Sequence, residues 1–158
     1  MNHPMTLAVR QLLAENVPFT PHLYTYEEKG GTAVSARELQ VPEHAVIKTL
    51  IMEDENKRPL IILMHGDRQV STKELARHLQ VKTISPCKPE VADRHSGYQV
   101  GGTSPFGTKR KMPVYFEASM LTLDKVYING GKRGFLIGMN PHDIVRVLQA
   151  EPVHVAIA

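Results

Sequence analysis

Residues 46–64 read Val46-Ile47-Lys48-Thr49-Leu50-Ile51-Met52-Glu53-Asp54-Glu55-Asn56-Lys57-Arg58-Pro59-Leu60-Ile61-Ile62-Leu63-Met64. Two apolar runs flank a polar turn, which is the pattern of a hairpin with a long connection at Asp54 to Pro59. In the first run Ile47, Thr49 and Ile51 share one face and Val46, Lys48, Leu50 and Met52 the other. Both faces are mostly apolar, so this strand belongs in the middle of a sheet covered on both sides. Lys48 is the lone charge in the run. Desolvating an ammonium is costly. A strand lysine usually lays its stem along apolar surface and takes its head to water, and periodicity alone favours that reading. The alternative is a lysine that enters a pocket and meets an anionic or carbonyl group of a ligand.

The rest of the chain supplies partners for this hairpin. Met5 to Glu15 is predicted helical, with Met5, Ala8, Val9, Leu12 and Leu13 on one face. Pro18 to Tyr26 is extended and interrupted at Pro21, and Glu27 to Thr32 is a glycine-containing loop. Ser35-Ala36-Arg37-Glu38 and Ser71-Thr72-Lys73-Glu74 have capping-box spacing and predict helices after Ser35 and from Ser71 to about Leu79. Lys82 to Ile84 is a short strand, and Pro86 to Arg94 a turn with a short helix. Further strands are predicted at Met112 to Glu117, Lys125 to Asn129, Phe135 to Met139 and Val153 to Ile157. Asn140-Pro141-His142-Asp143 opens a helix running to about Gln149, with Asn as cap, Pro in the first turn and Asp at the positive end. The expected fold is a single α+β domain over residues 1–158, with a mixed, largely antiparallel sheet and flanking helices.

The 158 residues suit one domain, and 42% hydrophobic with 22% charged residues is ordinary globular composition. No apolar run approaches the roughly 18 residues of a membrane span. With the one cysteine, Cys87, and no apolar leader, this predicts a cytoplasmic chain without disulfides. The eight histidines form no His-x-x-x-His pair, so no metal site is expected. There is no Gly-x-Ser-x-Gly elbow and no Gly-x-Gly-x-x-Gly loop, and no cofactor is expected. Gly102 to Gly107 has P-loop glycine spacing, but Thr108 stands where Lys is required. Cys87 has no evident base beside it, which argues against a cysteine nucleophile.

Eight of the 11 glycines fall between Gly97 and Gly138. Gly101-Gly102-Thr103-Ser104-Pro105-Phe106-Gly107 allows positive φ and close approach of a ligand to backbone N–H groups, although a tight turn is the commoner use of such a run. Asn129-Gly130-Gly131-Lys132-Arg133-Gly134 sets glycines beside cations, which suits phosphate contact and equally suits a solvated hairpin turn. Lys109, Arg110 and Lys111 form a second basic cluster. Tyr24 and Tyr26 share a face and are either core or base-stacking residues. The formal net charge is only +3, so the position of these clusters says more than their sum.

In order and spacing, these motifs resemble the YbaK/EbsC-type aminoacyl-tRNA deacylases, relatives of the editing domain of bacterial prolyl-tRNA synthetases. The resemblance rests on Val17-Pro18-Phe19, His22 and Tyr24; on Ile47-Lys48-Thr49-Leu50; and on Gly66-Asp67-Arg68-Gln69-Val70-Ser71. It continues through Gly97-Tyr98, Gly101 to Gly107, and Tyr127 to Gly134. It implies an editing-domain fold and deacylation of mischarged tRNA, with Cys-tRNA(Pro) the first substrate. It implies that Lys48 is the essential lysine at the tRNA 3′ end. Tyr24, Thr49, Gly101, Gly102, Thr103, Ser104, Asn129, Gly130 and Gly131 would line the aminoacyl pocket. Lys109, Arg110, Lys111, Lys132 and Arg133 are candidates for tRNA phosphates. In such enzymes the substrate's own thiol is thought to attack its ester carbonyl. The partners implied are aminoacyl-tRNA and prolyl-tRNA synthetase, which would supply part of the tRNA selection; neither DNA nor a membrane is expected. One position departs: cysteine-specific relatives typically carry Ser where Asn129 stands. Deacylation of Ala- or Ser-tRNA, or a non-catalytic tRNA- or nucleotide-binding module, are the alternatives. Basic patches alone would serve a binder, whereas Lys48 together with the Gly101 loop favours an enzyme.

Overall fold

The computed structural model describes residues 3–158. In chain order the elements are α1 (Leu7–Ala14), β1 (Thr20–Leu23), α2 (Gly31–Leu39), β2 (Val46–Asp54), β3 (Pro59–His65), β4 (Gln69–Val70), α3 (Thr72–Leu79), β5 (Ile84–Pro86), α4 (Pro89–Ser96), β6 (Val114–Glu117), β7 (Val126–Lys132), β8 (Phe135–Met139), α5 (Pro141–Leu148), β9 (Glu151–Val153) and β10 (Ala156–Ile157). The main sheet has the order β1-β8-β7-β2-β3-β6-β9, and β5 pairs with the far end of β2. β4 and β10 make a separate two-stranded sheet. The main sheet is mixed: β2 runs antiparallel to β3 and β5, while the β2–β7, β3–β6 and β6–β9 pairs are parallel.

The two-sided apolar pattern of β2 has its expected consequence. Ile47 and Ile51 enter a core with α1, α4 and α5, built from Ala8, Val9, Leu12, Ala92, Ile144 and the β6–β8 side chains. On the other face Met52 packs with Leu60, Ile62, Met64 and the α3 residues Leu75 and Ala76. Val46 packs there with Ala36 of α2 and with Leu136. The Asp54–Pro59 turn is closed by the Asp54 carboxylate, which accepts from the Asn56 and Arg58 N–H groups at 2.8 and 3.0 Å. The predicted caps at Ser71 and Asn140 form: their side chains accept from Glu74 N at 3.2 Å and His142 N at 2.9 Å.

Several boundaries differ from the sequence expectation, each for a local reason. Helix α2 begins at Gly31 rather than after Ser35. Ser35 is buried inside the helix and its hydroxyl donates to the Thr32 carbonyl, so it is no cap. Met5 and Leu13, expected on the packed face of α1, are half exposed, and Ala8, Val9 and Leu12 alone face inward. The strand expected at Lys82 to Ile84 starts at Ile84, because the Glu55 carboxylate takes the Lys82 and Thr83 N–H groups. The C-terminal strand expected over Val153 to Ile157 is two strands in different sheets. The break falls at Val155, whose N–H donates to the buried Glu117 carboxylate at 2.7 Å. Pro21 is tolerated within β1 because β1 is an edge strand.

Leu63 lies fully buried on β3, facing the larger core. Leu63→Ala is expected to cost about 2–5 kcal/mol of unfolding free energy, read as a fall in the urea midpoint at unchanged m-value.

Candidate functional site

One long edge of β2 is taken by β3 from Ile47 to Glu53. The other edge is shared: β7 pairs at Val46 and Ile47, and β5 at Met52 to Asp54. Between these pairings the sheet splits: no strand is paired with residues 48–51 on that edge, although Ile51 O accepts from Cys87 N–H at 3.1 Å. Lys48 and Thr49 border this slit from opposite faces of the sheet. The Thr49 hydroxyl oxygen is buried and has no hydrogen-bond partner among the described residues.

Lys48 lies on the face that α2 and α3 cover. Its ammonium donates to the Arg68 carbonyl at 2.5 Å. Partial burial pulls its pKa below the ordinary lysine value, and the charges of Glu43 and Asp67 oppose that pull. No carboxylate among the described residues forms an ion pair with it: the lysine is anchored by a neutral oxygen. An ammonium has three donors, so two remain for a ligand.

The turn that supplies this carbonyl is pinned from several sides. Gly66 N–H donates to Val46 O at 2.6 Å, which extends the hairpin ladder. His44 Nδ1 bonds the Asp67 carboxylate at 2.8 Å. The His44 ring lies nearly parallel to that of His65, with centroids 3.7 Å apart. His65 is buried between the His44 carbonyl and the Ser119 hydroxyl, at 2.7 Å each. The carbonyl can only accept, so Nδ1 of His65 carries the proton and neutral Nε2 accepts from Ser119. Burial holds the His65 pKa below its usual value, in keeping with that neutral form. His44 and Asp67 were not singled out from sequence as individual site residues. Carrying the β2–β3 register past the strand ends sets residues 44–46 beside 66–68, and that is the signal that finds them.

The glycine loop meets the end of the β7–β8 hairpin. Asn129 Nδ2 donates to Gly101 O at 3.2 Å, and its Oδ1 accepts from Gly131 N at 2.7 Å and Lys132 N at 3.2 Å. The side chain thus spans a register irregularity in β7 and holds the loop to it. Arg133 Nε donates to Val100 O at 3.0 Å, and its guanidinium lies over the Tyr26 ring, 5.2 Å from the centroid. A Cβ on Gly102 would sit 2.6 Å from Arg133 N, so only glycine allows this approach. Tyr98, whose hydroxyl donates to the Phe106 carbonyl, closes the loop from within.

Of the loop amides, Gly102 N is spent on Gln99 O. Phe106 N is spent on Ser104 Oγ and Gly107 N on Gln11 Oε1. The N–H groups of Gly101, Thr103 and Ser104 have no acceptor among the described residues. Ser104 itself is fully buried and Thr103 Oγ1 turns back to Gln99 O at 3.4 Å, so both side chains serve the loop.

Direct contacts therefore join Gly101, Gly102, Asn129, Gly131 and Arg133. Tyr24 reaches the same hairpin through its N–H on Gly134 O at 2.9 Å, and its ring packs beside Val46 and Leu136. Burial raises its hydroxyl pKa. Gly130 lies in the packed strand, where a Cβ would strike the Phe135 ring. Lys48 joins the group through register, one step beyond the Ile47–Ile128 pair and next to Asn129. Lys109, Arg110, Lys111 and Lys132 are exposed, and none of these or Arg133 forms an ion pair with a described carboxylate. Cys87 donates its thiol proton to the Glu53 carboxylate at 3.3 Å, and burial first, then that carboxylate, push its pKa up to about 12. A thiol so held is a poor nucleophile.

A family model described as an aminoacyl-tRNA editing domain matches residues 27–147, a span that contains Lys48, the glycine loop and Asn129. The Enterococcus faecalis protein named "Putative Cys-tRNA(Pro)/Cys-tRNA(Cys) deacylase EbsC" is 24% identical over 147 residues, covering 92% of this chain and 90% of that protein. The proline–tRNA ligase of Thermodesulfovibrio yellowstonii is 31% identical over 111 residues, covering 70% of this chain and 18% of the ligase. A solved structure titled "Crystal structure of a putative trans-editing enzyme for prolyl tRNA synthetase" superposes with a TM-score of 0.83 at 16% identity, over 98% of this chain and 100% of that one. That last likeness speaks for the fold alone.

Asn129→Ala removes three bonds at one point. It is expected to cost about 1–3 kcal/mol of stability and to speed hydrogen exchange at the Gly131 and Lys132 amides, with amides of the central strand β3 unchanged.

Proposed function

This chain belongs to the aminoacyl-tRNA editing domain family, and from that premise we propose that it deacylates mischarged tRNA in trans, with Cys-tRNA(Pro) as its substrate. The observation that carries the reading is the pairing at one slit of a free, carbonyl-anchored ammonium with a glycine loop that keeps unbonded N–H groups. Lys48 would meet the 3′ end of the tRNA. The Gly101, Thr103 and Ser104 amides are donors for an oxyanion, where the energetic reward for preorganised donors is largest.

On this reading the chemistry belongs to the substrate. The sulfur of the cysteinyl group attacks its own ester carbonyl, the carbonyl oxygen takes up the charge, and the ester C–O bond breaks. The thiol proton goes to the departing ribose oxygen, and a cyclic thiolactone leaves. The attack is intramolecular, so a pocket that holds the thiol near attack geometry gains a large effective concentration. No protein nucleophile is required, in keeping with a Cys87 thiol held un-ionised.

A second sieve has a physical reason to exist, because a synthetase pocket separates small side chains of similar volume by only roughly 10–200-fold. Asn129 in place of serine does not by itself redirect the amino acid. Both ends of its amide are engaged by backbone, so it acts on the pocket through the position of the Gly101 loop. With a formal charge of only +3, part of the tRNA selection would be borrowed from prolyl-tRNA synthetase.

The test is deacylation of labelled Cys-, Ala-, Ser- and Pro-tRNA(Pro) by the wild type and Lys48→Ala. Selective loss of the cysteinyl ester with thiolactone as product is expected, and Lys48→Ala should lower kcat/KM by about 10–150-fold, the worth of one charged hydrogen bond. Cleavage of the alanyl or seryl ester instead would move the specificity, and no cleavage at all would leave a binding module. In a second experiment, tRNA affinity is measured against salt. Replacing Lys109, Arg110 and Lys111 with alanine should flatten the slope of log K against log salt by about 2–3 units if each meets a phosphate.

A further inference from the structure

Two carboxylates lie close enough to Lys48 to act on its charge, and it is bonded to neither. Each is held by another donor. Glu43 Oε2 accepts from the Thr32 hydroxyl at 2.7 Å. Asp67 Oδ1 accepts from His44 Nδ1 at 2.8 Å, and its Oδ2 faces the Arg68 guanidinium at 3.4 Å. We infer that His44 and Thr32 are positioning residues that keep Asp67 and Glu43 off the Lys48 ammonium, so that its charge stays available to an anionic ligand.

The argument is one of competition. A lysine whose charge feels two carboxylates and that has a single neutral anchor is drawn electrostatically toward both. A paired lysine would offer a phosphate little net attraction, and its donors would be partly used. The observed bonds prevent this at low cost. A neutral imidazole already donates from Nδ1, so the His44–Asp67 bond needs no protonation. The His65 ring, stacked on His44 and fixed at both nitrogens, sets the plane from which His44 reaches Asp67. The Thr32 hydroxyl also faces Gly66 O at 3.2 Å, which ties α2 to the same turn. The carboxylates that act on the ammonium are thus Glu43, before β2, and Asp67 on the turn, and the Arg68 guanidinium lies against Asp67.

This inference rests on the reading of Lys48 as the residue that meets the tRNA 3′ end, and its test separates the two. His44→Phe keeps an aromatic face for His65 and removes the donor to Asp67. The Lys48 side chain, titrated by NMR in free protein with no substrate present, should show a pKa raised by about 1–3 units as Asp67 swings onto it. Binding of uncharged tRNA(Pro) should weaken by about tenfold, the low end of a charged hydrogen bond. Adding Asp67→Asn to His44→Phe should restore most of both, which a merely structural loss would not do. Thr32→Val, with Glu43→Gln as its rescue, repeats the experiment on the second carboxylate and serves if His44→Phe does not fold. The proposal falls if the Lys48 pKa in His44→Phe stays within a few tenths of wild type, or if the double variant binds no better than the single one. Absence of deacylation by the wild type would overturn the functional reading alone, since the titration does not depend on it.

Discussion

An ammonium half withdrawn from water must be held by something, and what holds Lys48 is the carbonyl of Arg68. Much of the molecule can be read as support for that one bond. The β2–β3 hairpin brings the two residues together, because Ile47 pairs with His65 and the ladder continues through Gly66 N–H to Val46 O. β4 follows Arg68 directly and is held by β10, while Ser71 N–H donates to Val155 O. Val155 is fixed in turn by the buried Glu117 carboxylate at the end of β6. The C-terminal residues therefore brace the turn from below, and the His44–His65 stack braces it from the side.

The second half of the site depends on a different constraint, the closeness of two backbones. Gly102 lies so near Lys132 and Arg133 that no side chain fits between them. Asn129 then spans the contact with hydrogen bonds from both ends of its amide. The loop cannot drift from β7 without breaking these bonds, so the open amides of Gly101, Thr103 and Ser104 keep a fixed position relative to β2. Preorganised donors of this kind cost nothing to reorient when charge develops nearby.

Legibility from sequence followed the range of the interactions involved. The alternation in Val46 to Met52 is a local signal, and it correctly gave a central strand with Lys48 and Thr49 on opposite faces. Where a distant side chain decides a local structure, periodicity is blind. Glu55 claims the Lys82 and Thr83 amides and shifts β5, and Glu117 claims Val155 and splits the last strand. Ser35 has the right spacing for a cap, but the helix had already begun at Gly31 and buried it. The glycine loop was read as a place where a ligand or a tight turn could bring backbones close, and what comes close in the structure is the chain's own backbone at Lys132 and Arg133. Which of its amides stay open was not legible, because that depends on Gln99 and Gln11. His44 was hidden for the same reason: its partner is 23 residues away and appears only once a hairpin register is assumed.

Cys87, the one thiol of the chain, takes no part in the proposed reaction, and its surroundings keep it out. Cys87 is partly buried beside the Glu53 carboxylate, and its pKa of about 12 keeps it protonated at neutral pH. A substrate thiol in the slit would instead stand near the Lys48 ammonium, and a neighbouring cation stabilises a thiolate. The more thiolate character a sulfur has, the faster it attacks an ester carbonyl. The chain thus withholds reactivity from its own cysteine, while on the proposed reading the Lys48 charge would promote it in a bound one. That charge works only if the ammonium is not already paired with a carboxylate. The neutral anchor at Arg68 meets that condition: no carboxylate among the described residues forms an ion pair with Lys48, which leaves its charge open to a ligand of the proposed kind.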